Sequence, residues 1–101
     1  AFSAIAPLLW LKAGARGPRI DVEAEDFAIA ETYGVLFDVD SSRTFLEELA
    51  AAPAARVAYI VTDDDRSFQM VCAGLPEHIE PVRLYESYLT NFTINVGGES
   101  R

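Results

Sequence analysis

The chain has 101 residues, of which half are hydrophobic and about a quarter are charged, and its formal net charge is −8. This length and composition suit one globular domain and exclude an extended disordered chain. The excess of acids argues against autonomous DNA binding, because nonspecific affinity for the phosphate backbone comes mainly from basic side chains that displace counterions. We expect a single domain over residues 1–96, cut from a longer protein, with a disordered tail at 97–101.

Cysteine usage and the apolar runs bear on the cellular compartment. Cys72 is the only cysteine, so neither an internal disulfide nor a multi-cysteine zinc site can form. The longest apolar run, residues 4–11, is interrupted by Pro7 and is too short to span a bilayer. No basic stretch precedes it, as one would in a signal peptide. These features favour a protein of the reducing cytoplasm.

The N-terminal third of the chain gives mixed signals. Residues 2–11 are compatible with either a helix end or a buried strand, since their apolar side chains follow no clear period. Apolar residues alternate with other residues at 19–23 and again at 27–29. This alternation predicts a β-hairpin that turns at residues 25–26.

A first strand and helix follow the hairpin. Residues 33–39 form a near-continuous apolar segment, which is typical of a strand covered on both faces. Asp40 or Ser41 is then placed to cap a helix that runs through residues 45–52. Pro53 ends this helix.

The strand and helix pattern then repeats. Residues 57–62 predict a second strand, and the acids at 63–65 predict the cap and first turn of a helix that buries residues 68–72 and stops at Gly74. Residues 82–85 predict a third strand. A β-α-β-α-β order with short connections gives parallel neighbours. We therefore expect an α/β domain of two or three layers, with a mostly parallel sheet extended by the N-terminal hairpin.

Acidic residues follow the first two predicted strands. Ligands bind beyond the carboxyl ends of the strands in open α/β sheets. Asp38 and Asp40 follow one strand, and Asp63 and Asp64 follow the next. Together these carboxylates could hold a hard cation such as Mg²⁺ through oxygen ligands. Helix capping and solvated strand ends explain the same acids more simply.

Residues 35–40, Val-Leu-Phe-Asp-Val-Asp, resemble the first motif of the haloacid-dehalogenase-like phosphatases. That resemblance implies that Asp38 takes the phosphoryl group and that Asp40 protonates the leaving group. The sequence departs from the family pattern, because two serines stand where Gly and Thr are usual. No lysine follows the motif either, since Lys12 is the only lysine in the chain. A Mg²⁺-dependent phosphatase fragment is kept as the alternative function.

Basic residues gather in one early loop. Lys12, Arg16 and Arg19 surround Gly14 and Gly17. Such a loop could form a backbone nest for an anion, or a phosphate or DNA contact in the longer protein. A solvated basic turn accounts for the same residues.

An aromatic stripe lies near the C-terminus. Tyr85, Tyr88, Leu89 and Phe92 recur at helical spacing within a predicted helical turn over residues 86–92. A stripe of this kind is usually core, but aromatic residues are also favoured at protein interfaces. Both interpretations stay open.

Four segments carry a further resemblance. They are residues 6–14, 33–38, 59–63 and 82–95, the last reading Val-Arg-Leu-Tyr-Glu-Ser-Tyr-Leu-Thr-Asn-Phe-Thr-Ile-Asn. In this order and spacing they are similar to the C-terminal region of bacterial adenine-specific DNA methyltransferases of the type III restriction-modification kind. The resemblance covers nearly the whole chain, and its last segment is the most specific.

The resemblance implies that the parent protein transfers a methyl group from S-adenosylmethionine to N6 of adenine after the base is flipped out of the duplex. The chemistry of that family belongs to an Asp/Asn-Pro-Pro-Tyr/Phe motif and a Phe-x-Gly-x-Gly motif, and neither occurs in these 101 residues. We therefore expect no catalytic residue and no cofactor in this segment. It would be an accessory domain that contacts the remainder of the methyltransferase, a second subunit or a restriction subunit, that reaches DNA only through its parent, and that binds no membrane.

Overall fold

A computed structural model describes residues 2–87 of the chain. The helices are α1 (Phe2–Lys12), α2 (Ser42–Ala50), which follows a 3₁₀ turn (Val39–Ser41), and α3 (Asp65–Ala73). The strands are β1 (Phe27–Ile29), β2 (Tyr33–Leu36), β3 (Val57–Val61) and β4 (Glu80–Leu84). They form one sheet in the order β1-β2-β3-β4. The fold is the α/β domain that the sequence predicts.

The sheet lies between two layers of helix. β1 and β2 are antiparallel, whereas β2, β3 and β4 are parallel. α2 connects β2 to β3, and α3 connects β3 to β4. The apolar side chains of both helices lie on the same face of the sheet. α1 packs on the opposite face. The architecture is therefore a three-layer one with a mostly parallel sheet.

The N-terminal hairpin is not the one predicted. Residues 19–23 form no strand, and β1 pairs instead with β2 across a turn at residues 30–32. Ile20 is buried, and its amide donates a hydrogen bond of 2.7 Å to the Tyr33 hydroxyl, whereas Val22 is 74% exposed. A single anchored side chain holds this segment, so the alternation of residues does not reflect pairing in the sheet.

α1 resolves the ambiguity of the first apolar run in favour of a helix. Pro7 lies inside the helix and removes one backbone hydrogen bond. The helix ends in a Schellman motif, in which the amide of Ala15 donates to the carbonyl of Trp10 and that of Gly14 donates to Leu11. Gly14 has a φ of 109°, which favours glycine there. No helix within residues 2–87 has the length and apolar character that crossing a bilayer requires.

The helix starts depend on aspartates. Asp38 accepts a hydrogen bond from the amide of Asp40, and Ser41 makes no capping bond. Ser41 is the N-cap residue of α2, which is one of the two predicted positions, but its side chain does not make the predicted capping bond, and Asp38 caps the 3₁₀ turn that precedes the helix. Asp64 caps α3, and Gly74 follows the last residue of that helix, as predicted.

α2 approaches the sheet closely at Gly34. A Cβ added there would lie 2.9 Å from Ile29 Cδ1 and 2.9 Å from Phe45 Cε1. Real Cβ atoms do not approach other atoms this closely, so the absence of a side chain at Gly34 allows Phe45 to fill this position in the core.

β4 lies at the edge of the described sheet. The amide of Glu80 donates to the Arg56 carbonyl and the Leu84 carbonyl accepts from Thr62, so both residues direct their backbone groups toward β3. Because backbone groups alternate sides along a strand, those of Pro81 are directed away from β3.

Two buried tyrosines connect the sheet to the N-terminal region. The Tyr59 hydroxyl donates a hydrogen bond of 2.7 Å to the carbonyl of Leu9 in α1. The Tyr59 ring packs edge-on against Tyr33, with 5.8 Å between the ring centroids. Burial disfavours the phenolate and raises the pKa of Tyr59 to about 12.

We expect Tyr59 to make the fold less stable at high pH. Its pKa in the folded protein, about 12, lies above the ordinary 10.0. The protonated hydroxyl therefore stabilises the fold fully below the unfolded pKa, and this contribution is lost as the pH rises through the folded pKa. Urea unfolding midpoints measured from about pH 9 to about pH 12 should decline more steeply in the wild type than in Tyr59→Phe.

Tyr33 accounts for the decline that remains in Tyr59→Phe, because burial also raises the pKa of Tyr33. Equal declines in the wild type and in Tyr59→Phe would contradict the role given to Tyr59.

Candidate functional site

The carboxyl ends of β2, β3 and β4 lie along one edge of the sheet, because these strands are parallel. We call this the carboxyl edge. Open α/β sheets bind ligands at this edge, in the crevice formed where the strand order reverses. The order of the four described strands is sequential and does not reverse. The topology of the described strands therefore does not create such a crevice.

Aspartates of the carboxyl edge accept hydrogen bonds from backbone amides. Asp38 Oδ1 accepts from the amide of Asp40 at 3.0 Å. The Asp63 carboxylate oxygens accept from the amide of Ser87 at 3.2 and 3.3 Å, which ties the chain after β4 to the end of β3. Within residues 2–87, no three acids, histidines or cysteines are grouped so that they could hold a metal ion. The structure thus does not assemble the cation site predicted from Asp38, Asp40 and Asp63.

Asp64 is the cap of α3. Its Oδ2 accepts from the hydroxyl of Ser67 at 2.7 Å and from the amide of Ser67 at 3.1 Å. These hydrogen bonds, the hydroxyl first, lower the pKa of Asp64 below its ordinary value. The carboxylate is therefore ionised at neutral pH, where it complements the helix dipole.

Arg83 organises the carboxyl edge between β4 and α3. Its Nε donates to the carbonyl of Thr62 at 3.0 Å, and its Nη1 donates to Asp65 at 2.5 Å. The guanidinium carbon lies 4.3 Å from the ring centroid of Tyr85 and 5.5 Å from that of Phe68. Although Asp65 and Tyr85 are exposed, the Arg83 side chain is only 14% exposed. This arrangement fixes the Tyr85 ring, which is itself 48% exposed.

The predicted aromatic stripe extends past the described part of the chain. Tyr85 is described, whereas Tyr88, Leu89 and Phe92 lie outside residues 2–87. The predicted tail at residues 97–101 also lies outside them.

Each basic side chain of the early loop pairs with a different acid. The ion pairs are Lys12–Glu80 at 3.3 Å, Arg16–Glu31 at 4.0 Å and Arg19–Asp21 at 2.6 Å. Exposed pairs of this kind contribute little to stability. The amides of Gly14 and Ala15, which a backbone nest would use, donate to the end of α1. The phosphate contact proposed for Lys12, Arg16 and Arg19 therefore gains no support from this geometry.

Two features of the structure were not predicted from the sequence. Arg83 and Tyr85 are two residues apart, so they project from the same face of an extended chain, and this spacing was a usable signal for their stacking. Leu8 and Leu11 are 62% and 57% exposed on α1. The signal for them was a helix that is apolar on every side, since one helix on a sheet cannot bury its whole circumference.

We expect the chain to show no phosphatase activity. Because Asp38 is a capping residue and no group of metal ligands surrounds it within residues 2–87, Mg²⁺ has no assembled site there. The wild type should hydrolyse p-nitrophenyl phosphate no faster than Asp38→Asn, and Mg²⁺ should leave the melting temperature unchanged. Hydrolysis that requires Mg²⁺ and disappears in Asp38→Asn would instead establish the phosphatase alternative.

Comparison of the chain with protein-family models, with curated proteins and with solved structures finds no match. The functional conclusion therefore depends on the residues and contacts described above.

Proposed function

We propose that this chain is a non-catalytic accessory domain of an S-adenosylmethionine-dependent adenine-N6 DNA methyltransferase of the bacterial cytoplasm. The methyltransferase context is supported by the four sequence segments that resemble this family, above all residues 82–95. In this proposal the parent binds S-adenosylmethionine and DNA outside residues 1–101. The domain itself docks on the remainder of the enzyme. The assembled enzyme then contacts a second subunit or a restriction subunit.

The carboxyl edge supports a role without catalysis. Its acids serve the fold: Asp38 and Asp64 cap helical turns, Asp63 holds Ser87, and Asp65 pairs with Arg83. An edge built in this way stabilises loops and presents a fixed surface.

The docking role is supported mainly by the position of the Tyr85 ring. An exposed tyrosine normally loses conformational freedom when a partner binds it. The ring of Tyr85 already lies over the guanidinium of Arg83, at 4.3 Å, and that guanidinium is held by Thr62 and Asp65. Tyrosine combines a large apolar area with a polar hydroxyl, which favours it at interfaces. We infer that Tyr85 is an anchor for the catalytic part of the parent.

We expect Tyr85→Ala to weaken docking. The chain and the catalytic region of its parent would be produced separately, and their affinity measured by calorimetry. Removing a preorganised aromatic anchor should raise Kd by about tenfold or more. Met70→Ala is the matched control, because Met70 is an apolar side chain that is 60% exposed on α3, and this variant should bind like the wild type.

A Kd that is unchanged in Tyr85→Ala would contradict the docking role. The class of the parent is decided by the coding sequence upstream of Ala1. An Asp-Pro-Pro-Tyr motif together with a Phe-x-Gly-x-Gly motif would support the methyltransferase, and the lack of both would contradict it.

A further inference from the structure

β1 forms one edge of the described sheet, because β2 is the only described strand with which it pairs. The carbonyl of Asp26 accepts a hydrogen bond from the amide of the residue after β2, and the amide of Ala30 donates to the carbonyl of the first residue of β2. Backbone groups alternate sides along a strand. Those of Phe27 and Ile29 are therefore directed away from β2.

Most of these outward backbone groups have no partner among the described residues. Within residues 2–87, the carbonyl of Phe27 and both the amide and the carbonyl of Ile29 make no hydrogen bond. The amide of Phe27 is used locally, since it donates to Oδ1 of Asp26 at 2.6 Å. The edge of β1 thus offers one donor and two acceptors to which a further strand can pair.

The side chains of β1 hold this edge in position. The ring of Phe27 packs edge-on against that of Phe45 in α2, with 5.7 Å between the ring centroids. Ile29 packs against the same core cluster. Because β1 is already extended and anchored, a partner strand does not have to order it on binding.

The chain around β1 is strongly acidic. Residues 20–42 contain seven acids and neither lysine nor arginine. The acids nearest to β1 in the sequence are all exposed, and they are Glu23, Glu25, Asp26 and Glu31. Of these four, only Glu31 has a basic partner within the described part of the chain. Like-charge repulsion therefore opposes the pairing of two copies through β1 and the approach of nucleic acid, whereas a basic polypeptide is attracted.

We propose that β1 is a docking edge for an extended polypeptide segment that carries lysine or arginine side chains. The segment extends the described sheet by one strand, which is the mode of recognition known as β-augmentation. Its backbone pairs with the outward groups of Phe27 and Ile29, and its basic side chains lie near Glu23 and Glu25. The backbone hydrogen bonds supply affinity, and the charges select the partner.

This edge is separate from the surface around Tyr85. Tyr85 follows β4, and β1 and β4 lie at opposite edges of the described sheet. The inference therefore goes beyond the docking role proposed above and does not depend on it.

Binding of a short peptide to the whole 101-residue chain tests the proposal. The probe is the acetylated and amidated peptide Thr-Lys-Val-Lys-Val-Lys-Thr, and its counterpart has glutamate in place of each lysine. In NMR titrations, the lysine peptide should shift the amide signals of residues 27–29 and slow the hydrogen exchange of the Ile29 amide severalfold. At low ionic strength it should bind about tenfold or more tightly than the glutamate peptide. Equal affinity of the two peptides, or binding that leaves residues 27–29 unaffected, would overturn the proposal.

Two substitutions at Ile29 separate strand pairing from nonspecific adhesion of a cationic peptide. Both Ile29→Pro and Ile29→Ala shorten the side chain, but only proline also removes the outward amide hydrogen. Because this amide does not bond to β2, proline is compatible with an edge strand at this position. Ile29→Pro should bind the lysine peptide about fivefold or more weakly than Ile29→Ala. Equal affinity of these two variants would contradict pairing through the β1 edge.

Charge substitutions test the same edge without altering β1. Glu23→Gln combined with Glu25→Gln removes two acids beside β1, so it should raise the Kd of the lysine peptide severalfold. Glu77→Gln combined with Glu86→Gln removes two exposed acids that flank β4 at the opposite edge, and it should leave the Kd unchanged. Equal effects of the two double variants would show that overall charge alone attracts the peptide, and the proposal would be wrong.

The chain without peptide reveals whether a second copy is the occupant. Raising its concentration should leave the Ile29 amide signal unchanged. A concentration-dependent shift confined to residues 27–29 would show that two copies pair through β1 and would overturn the assignment to a basic partner. The affinity measurements with Tyr85→Ala use a different partner and a different edge, so failure of the docking role and failure of this inference are distinguishable.

Discussion

Complete burial of β3 is the constraint on which the rest of the described structure depends. All five of its residues are buried, so both faces of the strand require cover. α1 supplies one cover and is held there by the hydrogen bond from Tyr59 to Leu9. α2 and α3 supply the other. The two residues that follow β3 then stabilise the carboxyl edge. Thr62 accepts a hydrogen bond from Arg83, and Asp63 accepts one from Ser87.

The strand order and the hydrogen bonds of the carboxyl edge bear on its chemical role. In open α/β sheets, ligands bind beyond the carboxyl ends of the strands, in a crevice at the point where the strand order reverses. Here the described strand order is sequential, Asp38 and Asp63 accept hydrogen bonds from backbone amides, and Asp65 accepts one from Arg83, whose Nη2 is buried without a partner among the described residues. Hydrogen bonds of this kind make the edge rigid, and they hold the guanidinium over which the exposed ring of Tyr85 lies.

Elements with local signals could be predicted from the sequence. The cap at Asp64, the stop at Gly74 and the apolar run of β3 depend on neighbouring residues, and the structure confirms them. A prediction was wrong where a contact with a residue distant in the sequence determines the local structure. Ile20 is held by the Tyr33 hydroxyl and not by strand pairing, which no alternation of residues in 19–23 reveals.

The candidate site shows the same division. The order of strands and helices places Asp38 and Asp63 at one edge, and the sequence is sufficient to predict that. Their roles depend on amides contributed by Asp40 and Ser87, and the second of these lies 24 positions away along the chain. Helix α1 was ambiguous for another reason: it is apolar around its whole circumference, so no period marks its type.

The orientation of Pro81 limits how copies of this domain associate. An edge strand offers free amides that can extend the sheet into a neighbouring molecule. Pro81 has no amide hydrogen, and its backbone groups are directed outward because Glu80 and Leu84 are bonded toward β3. The edge at β4 therefore lacks a donor near its start, which discourages extension of the sheet into another molecule on that side.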